Sequence, residues 1–290
     1  MNILTYYETI GHEYQDKLLE LWKKSWAARG FNPIVLTRDD VKMDPYFNEF
    51  TDGLHSVHQT IMEAPVRPYG LTCYYRWLAY ARVINEVNLV CDYDVINFNF
   101  TIAEAKQLLH DNRDSLTFYH GPTPCIASGN KHHFHKFCKD IVEISNKNID
   151  LLKSTIGPHY NDQEFITYNR SDLFHQPGYK MVTDHHENRI VYDYVHDMSI
   201  LSKKTVHVSH STVDRARRQV GSHDANINWA RCVFITQALH TLQLFDKPVP
   251  EEPKKADKII KQVDEQHRQV TASTEKIKTK SKRKTTKASS

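Results

Sequence analysis

From Ile3 to Thr37 the chain alternates a short apolar run, an amphipathic stretch and a second apolar run, and this alternation constrains the fold more than any other feature. Ile3 to Tyr7 reads as a buried strand. Leu18, Leu19, Leu21, Trp22 and Trp26 then recur at helical spacing until Gly30, and Pro33 to Thr37 reads as a second strand. Strands joined through a helix run parallel, and a parallel sheet needs helices on both faces. Further along, the spacing predicts helices over Leu71 to Val83, Thr101 to His110, Phe134 to Leu152 and Trp229 to Leu244. Strands are expected at Val87 to Cys91, Ser115 to Tyr119 and Thr205 to Val208, with a Gly/Pro-rich loop at Gly121-Pro122-Thr123-Pro124. The expected class is α/β, with one domain around a mixed, mainly parallel central sheet.

That domain is expected to cover residues 1–245. At Asp246-Lys247-Pro248-Val249-Pro250 prolines and charges mark an edge, and 246–290 reads as a linker followed by a basic low-complexity tail. Lys276 to Lys287 carries seven Lys/Arg and no acid, a run too polar to fold alone. A solvated tail is the plain expectation, and contact with an anionic membrane surface is the functional one. The formal charge of +3 comes from this tail, so the folded part offers no global basic field and no specific nucleic-acid partner is expected. Five cysteines, odd in number and without a CxxC pair, point to a reducing compartment. No apolar run approaches the roughly 20 residues of a membrane span, and the N-terminus turns polar at Glu8. A cytoplasmic protein, peripheral at a membrane if it meets one, is the expectation.

Chemistry concentrates at Asp92 and Asp94. They follow the β-prone run Val87-Asn88-Leu89-Val90-Cys91, at a strand's carboxyl end, where open α/β sheets bind ligands. Residues two apart on a strand point alike, so the two carboxylates share a side. Oxygen pairs of this kind suit Mn²⁺ or Mg²⁺, ions commonly shared with substrate phosphates. Asp-x-Asp alone also describes a solvated acidic turn.

The wider context narrows this reading. Thr72-Cys73-Tyr74-Tyr75-Arg76-Trp77-Leu78-Ala79, followed by Leu89-Val90-Cys91-Asp92-Tyr93-Asp94-Val95-Ile96, resembles the helix-then-DxD block of GT-A glycosyltransferases, especially glycogenin-like and lipopolysaccharide-galactosyltransferase-like enzymes. The resemblance implies a GT-A (Rossmann-like) fold, a nucleotide-sugar donor, a glycan, lipid-linked or protein acceptor, and Mn²⁺ or Mg²⁺ at Asp92 and Asp94. It also places Arg76 and Asp92 near the donor. Ile126-Ala127-Ser128-Gly129-Asn130 is similar to that family's Asn-Ser-Gly segment, which makes Ser128 and Gly129 donor-binding candidates. Asn161-Asp162-Gln163-Glu164 is similar to the Asp-Gln segment beside the transferred sugar. Asp162, Gln163 and Glu164 are thereby the catalytic candidates, and a retaining reaction is favoured. Thr205-Val206-His207-Val208-Ser209 resembles the late strand whose histidine completes the metal site, so His207 joins Asp92 and Asp94. The family's following Gly and Lys-Pro-Trp are missing, which leaves His210 as a rival ligand and Lys203 or Lys204 as substitutes for the lysine that grips the diphosphate.

Other residues stay open. Tyr6 and Tyr7 are candidates for stacking on the donor base, or are core aromatics. Cys125, His132, His133, His135 and Cys138 include zinc-ligand types, but at no regular finger spacing. His185 and His186 beside Asp184 are candidates for an acceptor cleft or an ordinary surface loop. Asp-x-Asp after an apolar strand also opens haloacid-dehalogenase-type phosphatases, although there it stands near the chain start and a different residue type occupies the place of Ile96. A binding protein that keeps the fold without turnover is the third alternative.

Overall fold

The computed structural model describes residues 1–244 except 10, 12, 65, 157–159, 183–188, 195–197 and 220–225. The expected domain edge after residue 245, the basic tail, and Asp184, His185 and His186 lie outside the described residues. The elements run β1 (Asn2–Tyr6), α1 (Gln15–Ala27), β2 (Asn32–Leu36), α2 (Arg38–Lys42), α3 (Phe47–Met62), α4 (Pro68–Val83), β3 (Asn88–Cys91) and β4 (Val95–Asn97). They continue with α5 (Ile102–Asp111), β5 (Leu116–Phe118), β6 (Ile126–Gly129), α6 (Lys131–Lys147), α7 (Ile149–Thr155), α8 (Asp162–Tyr168) and α9 (Arg170–Phe174). The remainder is β7 (Tyr179–Met181), β8 (Val191–Asp193), β9 (Thr205–His207), α10 (His210–Gln219) and α11 (Ile227–Thr241). No helix of the described residues is long and apolar enough to cross a membrane.

Six strands form the central sheet in the order β2-β1-β3-β6-β5-β7, and only β6 runs against its neighbours. The architecture is α/β, with a mixed, mainly parallel central sheet. Because side chains alternate along a strand, β1 sends Leu4 and Tyr6 to one core and Ile3 to the other; Tyr7, just past the strand, joins the second core as well. In β3, Val90 joins the first core and Leu89 and Cys91 the second. Both faces are covered, so these strands read as continuous apolar runs. Helices α3, α4 and α6 pack on the first face; α1, α11 and a second, three-stranded sheet of order β4-β9-β8 cover the other.

Helix α1 does more than fill space. The buried indoles of Trp22 and Trp26 donate to Cys91 Sγ at 3.3 Å and to the Val95 carbonyl at 3.0 Å. One helix therefore grips the chain on both sides of Asp92 and Asp94. A buried Trp truncated to Ala costs about 3–5 kcal/mol, and here the loss would fall on the segment that carries the acidic pair.

Three expectations need correction. His207 does not share a sheet with Asp92: β9 belongs to the small sheet, and the acidic pair sits in the turn that carries the chain from the large sheet to the small one. The expected helix from Phe134 to Leu152 is two helices. Asn148 breaks it, because its side chain donates to Asn169 Oδ1 and Asp172 Oδ2, fixing the corner where α7 turns away. Between β2 and α4 the chain also forms α2 and α3, which are absent from the expected pattern. In α3, Phe50, Leu54, Val57 and Ile61 are spaced to bury one helical stripe.

Within that stripe His58 is buried against the rings of Tyr74 and Tyr160. Burial, helped by the charge of His55, lowers its pKa to about 4. The folded state thus binds fewer protons than the unfolded one between about pH 6.5 and 4, and stability falls as the pH drops through that window. The effect amounts to about 3 kcal/mol. Melting temperature recorded from pH 7 to 4 should fall less steeply for His58→Gln than for the parent; parallel curves would remove His58 from the acid response.

Candidate functional site

Backbone hydrogen bonds hold the acidic turn in place. Asp92 donates from its N–H to the Cys125 carbonyl at 2.8 Å, Val95 closes the turn onto the Asp92 carbonyl at 3.0 Å, and Val208 donates to the Asp94 carbonyl at 2.9 Å. Pairing of β4 with β9 sets Val95 opposite His207. The outcome is that ligand atoms of Asp92, Asp94 and His207 lie within 4.8 Å of one another. His207 Nε2 stands 3.5 Å from Asp94 Oδ1, a buried oxygen with no hydrogen-bond partner. Buried carboxylate oxygens are rarely left without a donor or a cation. The group opens into a cleft of about 690 Å³, also lined by Arg76, Asp162, Gln163 and Asp193.

Two arginines from different helices reach these carboxylates. Arg76 of α4 bonds Asp92 through Nη1 and reaches Asp162 Oδ2 through Nε at 2.9 Å and Nη2 at 2.5 Å. Trp77 Nε1 donates to that same oxygen at 2.7 Å. Asp162 opens α8, whose N-terminus is capped by the Asn161 side chain. Arg231 of α11 is fully buried and spans Asp94 Oδ2 at 2.5 Å, the Val208 carbonyl at 2.6 Å and Asn228 Oδ1 at 3.0 Å.

Sequence reasoning missed Arg231. Its signal was a lone cation between Ala230 and Cys232 in a helix apolar on nearly every side, since a buried guanidinium requires a buried acid. Four carboxylates, from Asp92, Asp94, Asp162 and Asp193, thus meet two guanidiniums, and the remaining negative charge matches a divalent cation while the histidines are neutral.

Protonation reflects the crowding. Burial pushes Asp92 up to about 6, with Arg76 opposing and Asp94 adding to the rise. Burial works against a charged His207, but Cys125 and Asp94 outweigh it and hold its pKa well above the ordinary histidine value. For His120 burial is likewise overcome, by Asp193 and Cys125, and its pKa rises to about 9. Asp193 moves the opposite way: burial would raise it, yet His120 and His207 hold it well below the usual carboxylate range. A proton or a cation is wanted at the same place.

The remaining expected site residues are distributed as follows. Gln163 is exposed in the first turn of α8 and lines the cleft, while Glu164 stands outside the lining residues. Asp162 lines the cleft and accepts hydrogen bonds from Arg76 and Trp77 at Oδ2. His210 lines the cleft but faces Arg231 Nη1 at 3.1 Å and does not join the Asp92, Asp94 and His207 group.

Tyr6 and Tyr7 are core residues. Tyr6 donates to Glu8 Oε2 at 3.1 Å, and Tyr7 bonds Asp16 and packs edge-on against Tyr93. Ser128 and Gly129 lie inside the central sheet; the Ser128 hydroxyl pairs with that of Tyr119 at 2.7 Å, and a Cβ at Gly129 would crowd Leu116, His133 and Phe134 at 3.2–3.4 Å. The structure does not bring these four to the cleft, because both strands are covered on both faces. Lys203 and Lys204 also point elsewhere, toward the Tyr192 ring and Glu104. The suggested zinc set disperses as well. His133 caps α6 at Asn130, His135 lies 3.7 Å from Asp44, and Cys138 is in the core. Cys125 instead adjoins His120 and His207.

No family profile matches the chain, and no curated protein matches it. Among solved structures it is similar to the apo form of mouse xyloside xylosyltransferase 1, with 10% identity and a TM-score of 0.43 over 73% of this chain and 99% of that one. It is also similar to a glycosyltransferase involved in glycosylation of the major capsid of PBCV-1, with 14% identity and a TM-score of 0.37 over 75% of this chain and 97% of that one. Similarity this distant is one of general fold, and the functional reading rests on the cleft itself.

Proposed function

We propose that the chain is a metal-dependent glycosyltransferase that moves a sugar from a nucleotide-diphosphate donor to an acceptor hydroxyl. The observation that carries this reading is the convergence of Asp92, Asp94 and His207 around the bare Asp94 Oδ1, at the wall of a cleft with a guanidinium on either side. Two carboxylates and one imidazole suit Mn²⁺ or Mg²⁺, and the donor set fits such an ion. When bound, the ion acts as a Lewis acid on the departing diphosphate.

The protein's own residues supply the rest. Arg76, held by Asp162 and Trp77, sits at the cleft wall with its charge preset for a phosphate oxygen. Fixed donors of this kind need no reorganisation when charge develops. Arg231 holds Asp94 in place from behind. Gln163, exposed in the cleft, is assigned to the sugar or the acceptor hydroxyl. We favour retention, on the resemblance of Asn161 to Glu164. The basic tail is assigned to an anionic membrane surface.

One observation favours a second reading. Arg76 and Arg231 already neutralise both aspartates, so a metal-independent nucleotide-binding protein without turnover fits the same contacts. Incubation with a panel of nucleotide sugars, with Mn²⁺ or with EDTA, separates the two. Release of nucleotide in Mn²⁺ and none in EDTA is the expected result. Equal nucleotide binding in both conditions, with no release from any donor, would establish the second reading instead.

A further inference from the structure

We propose that His120, Cys125 and His207 form a second metal site, selective for a soft divalent ion such as zinc, which shares His207 with the Asp92 and Asp94 set. Zinc bound there withdraws His207 from that set and so opposes Mn²⁺ or Mg²⁺. The site itself stands on geometry alone; its antagonism rests on the metal-dependent reading above.

Local sequence explains the pairing of His120 with Cys125. They flank the turn Gly121-Pro122-Thr123-Pro124 between the antiparallel strands β5 and β6. Thr123 donates back to the His120 carbonyl at 3.2 Å, and Tyr119 donates to the Ile126 carbonyl at 3.1 Å. Residues five apart therefore face each other, with Cys125 Sγ 3.4 Å from His120 Nδ1. Zn–N of about 2.0 Å and Zn–S of about 2.3 Å in a tetrahedron give an N···S edge of roughly 3.5 Å. His207 arrives from β9, with its ring edge-on to that of His120 at 5.7 Å between centroids. Ligand atoms of the three lie within 4.8 Å of one another, and all three residues are buried.

The orientation of the rings supports the assignment. Asp193 on β8 faces His120 Nε2 through Oδ2 at 3.4 Å and His207 Nδ1 through Oδ1 at 3.4 Å. A carboxylate behind each imidazole is the usual way in which a metal-binding histidine is held and its free nitrogen made more basic. His120 presents Nδ1 toward Cys125, and His207 Nε2 faces Asp94; with Nδ1 on the Asp193 side, Nε2 is the nitrogen assigned to either ion. A neutral imidazole with one nitrogen engaged has a single lone pair to give, so His207 serves one ion at a time. Thiolate and imidazole donors favour zinc, whereas carboxylate oxygens favour Mn²⁺ or Mg²⁺. Coordination would require the His120 and His207 imidazoliums and the Cys125 thiol to release their protons to solvent, and water would complete the fourth position.

Titration of the metal-free full-length chain with Co²⁺, a spectroscopic stand-in for zinc, tests the site. A near-ultraviolet thiolate-to-cobalt band is expected, displaced by one equivalent of Zn²⁺. Cys125→Ser should abolish the band, and His120→Asn should weaken Co²⁺ binding by more than the roughly 10–100-fold that losing an outer partner costs. Asp92→Asn should keep the band. Absence of the band in the parent, or its persistence in a folded Cys125→Ser, overturns the site. For the antagonism, Zn²⁺ added to the Mn²⁺-loaded parent should reduce Mn²⁺-dependent nucleotide binding and should spare Cys125→Ser. Equal inhibition of both places zinc at Asp92 and Asp94 and overturns the sharing of His207. If no donor is turned over, the cobalt band still reads the site. A missing band beside intact Mn²⁺-dependent binding defeats this inference alone.

Discussion

Asp94→Asn should lower donor turnover by about 1,000-fold or more, a loss of about 4 kcal/mol in the transition state, and abolish Mn²⁺-dependent nucleotide binding. It should also destabilise the fold. From the sequence, the two aspartates look like a mutually repelling pair whose neutralisation is free, since like charges raise each other's cost of ionisation. The tertiary structure reverses that sign. Asp94 is the charge partner of Arg231, which is 0% exposed. Removing one member of a buried pair costs about 3–5 kcal/mol, or about 10 °C in melting temperature for a domain of this size. A double variant, Asp94→Asn with Arg231→Met, should regain much of the stability, because an ion pair replaced by packed apolar atoms is often neutral. It should regain none of the metal binding. Should Asp94→Asn bind Mn²⁺ and nucleotide like the parent, the metal assignment falls. If it melts at the parent temperature, the Arg231 pairing contributes nothing.

Asp162→Asn is the second variant with a large expected effect, and its signature differs. Asp162 accepts three hydrogen bonds at Oδ2, two from Arg76 and one from Trp77, with its side chain 3% exposed. Loss of that charge should cost about 3–5 kcal/mol of stability and let Arg76 drift from its place beside Asp92. Misplacement by about 1 Å costs on the order of 100-fold in rate, so kcat/KM for the donor should fall by about that factor. Mn²⁺ affinity in the absence of donor should change little, because Asp162 is not among the grouped metal ligands. Unaltered stability together with a complete loss of turnover would instead place Asp162 in the chemistry directly.

How far local pattern reaches can be seen from individual elements. The run Ile3 to Thr37 specified β1, α1 and β2, since the period of apolar side chains encodes which face is buried. Val87 to Cys91 marked β3 and put Asp92 at its end. Strand β4, only Val95 to Asn97, was hidden behind the acidic turn, so the jump to a second sheet left no readable pattern. Ser128 and Gly129 matched a motif, yet their strand is covered on both faces, and burial, which a short motif does not encode, kept them from the cleft.

The sequence by itself determined the α/β class, the order of the main elements, the acidic turn, and the short list from which a hard-ion site can be built. Those are properties of neighbours along the chain, set by periodicity and by side-chain chemistry. Only the tertiary structure decided that Arg231, from the last described helix, neutralises Asp94, that Arg76 is bound to Asp162, and that His207 stands between two possible ion sites. Each of these joins residues far apart in sequence: the first and third through the packing of α1, α11 and the small sheet against the large one, and the second through the approach of α8 to α4. Charge pairing in a buried site depends on which side chains that packing brings within a few ångströms, and no local pattern carries that information.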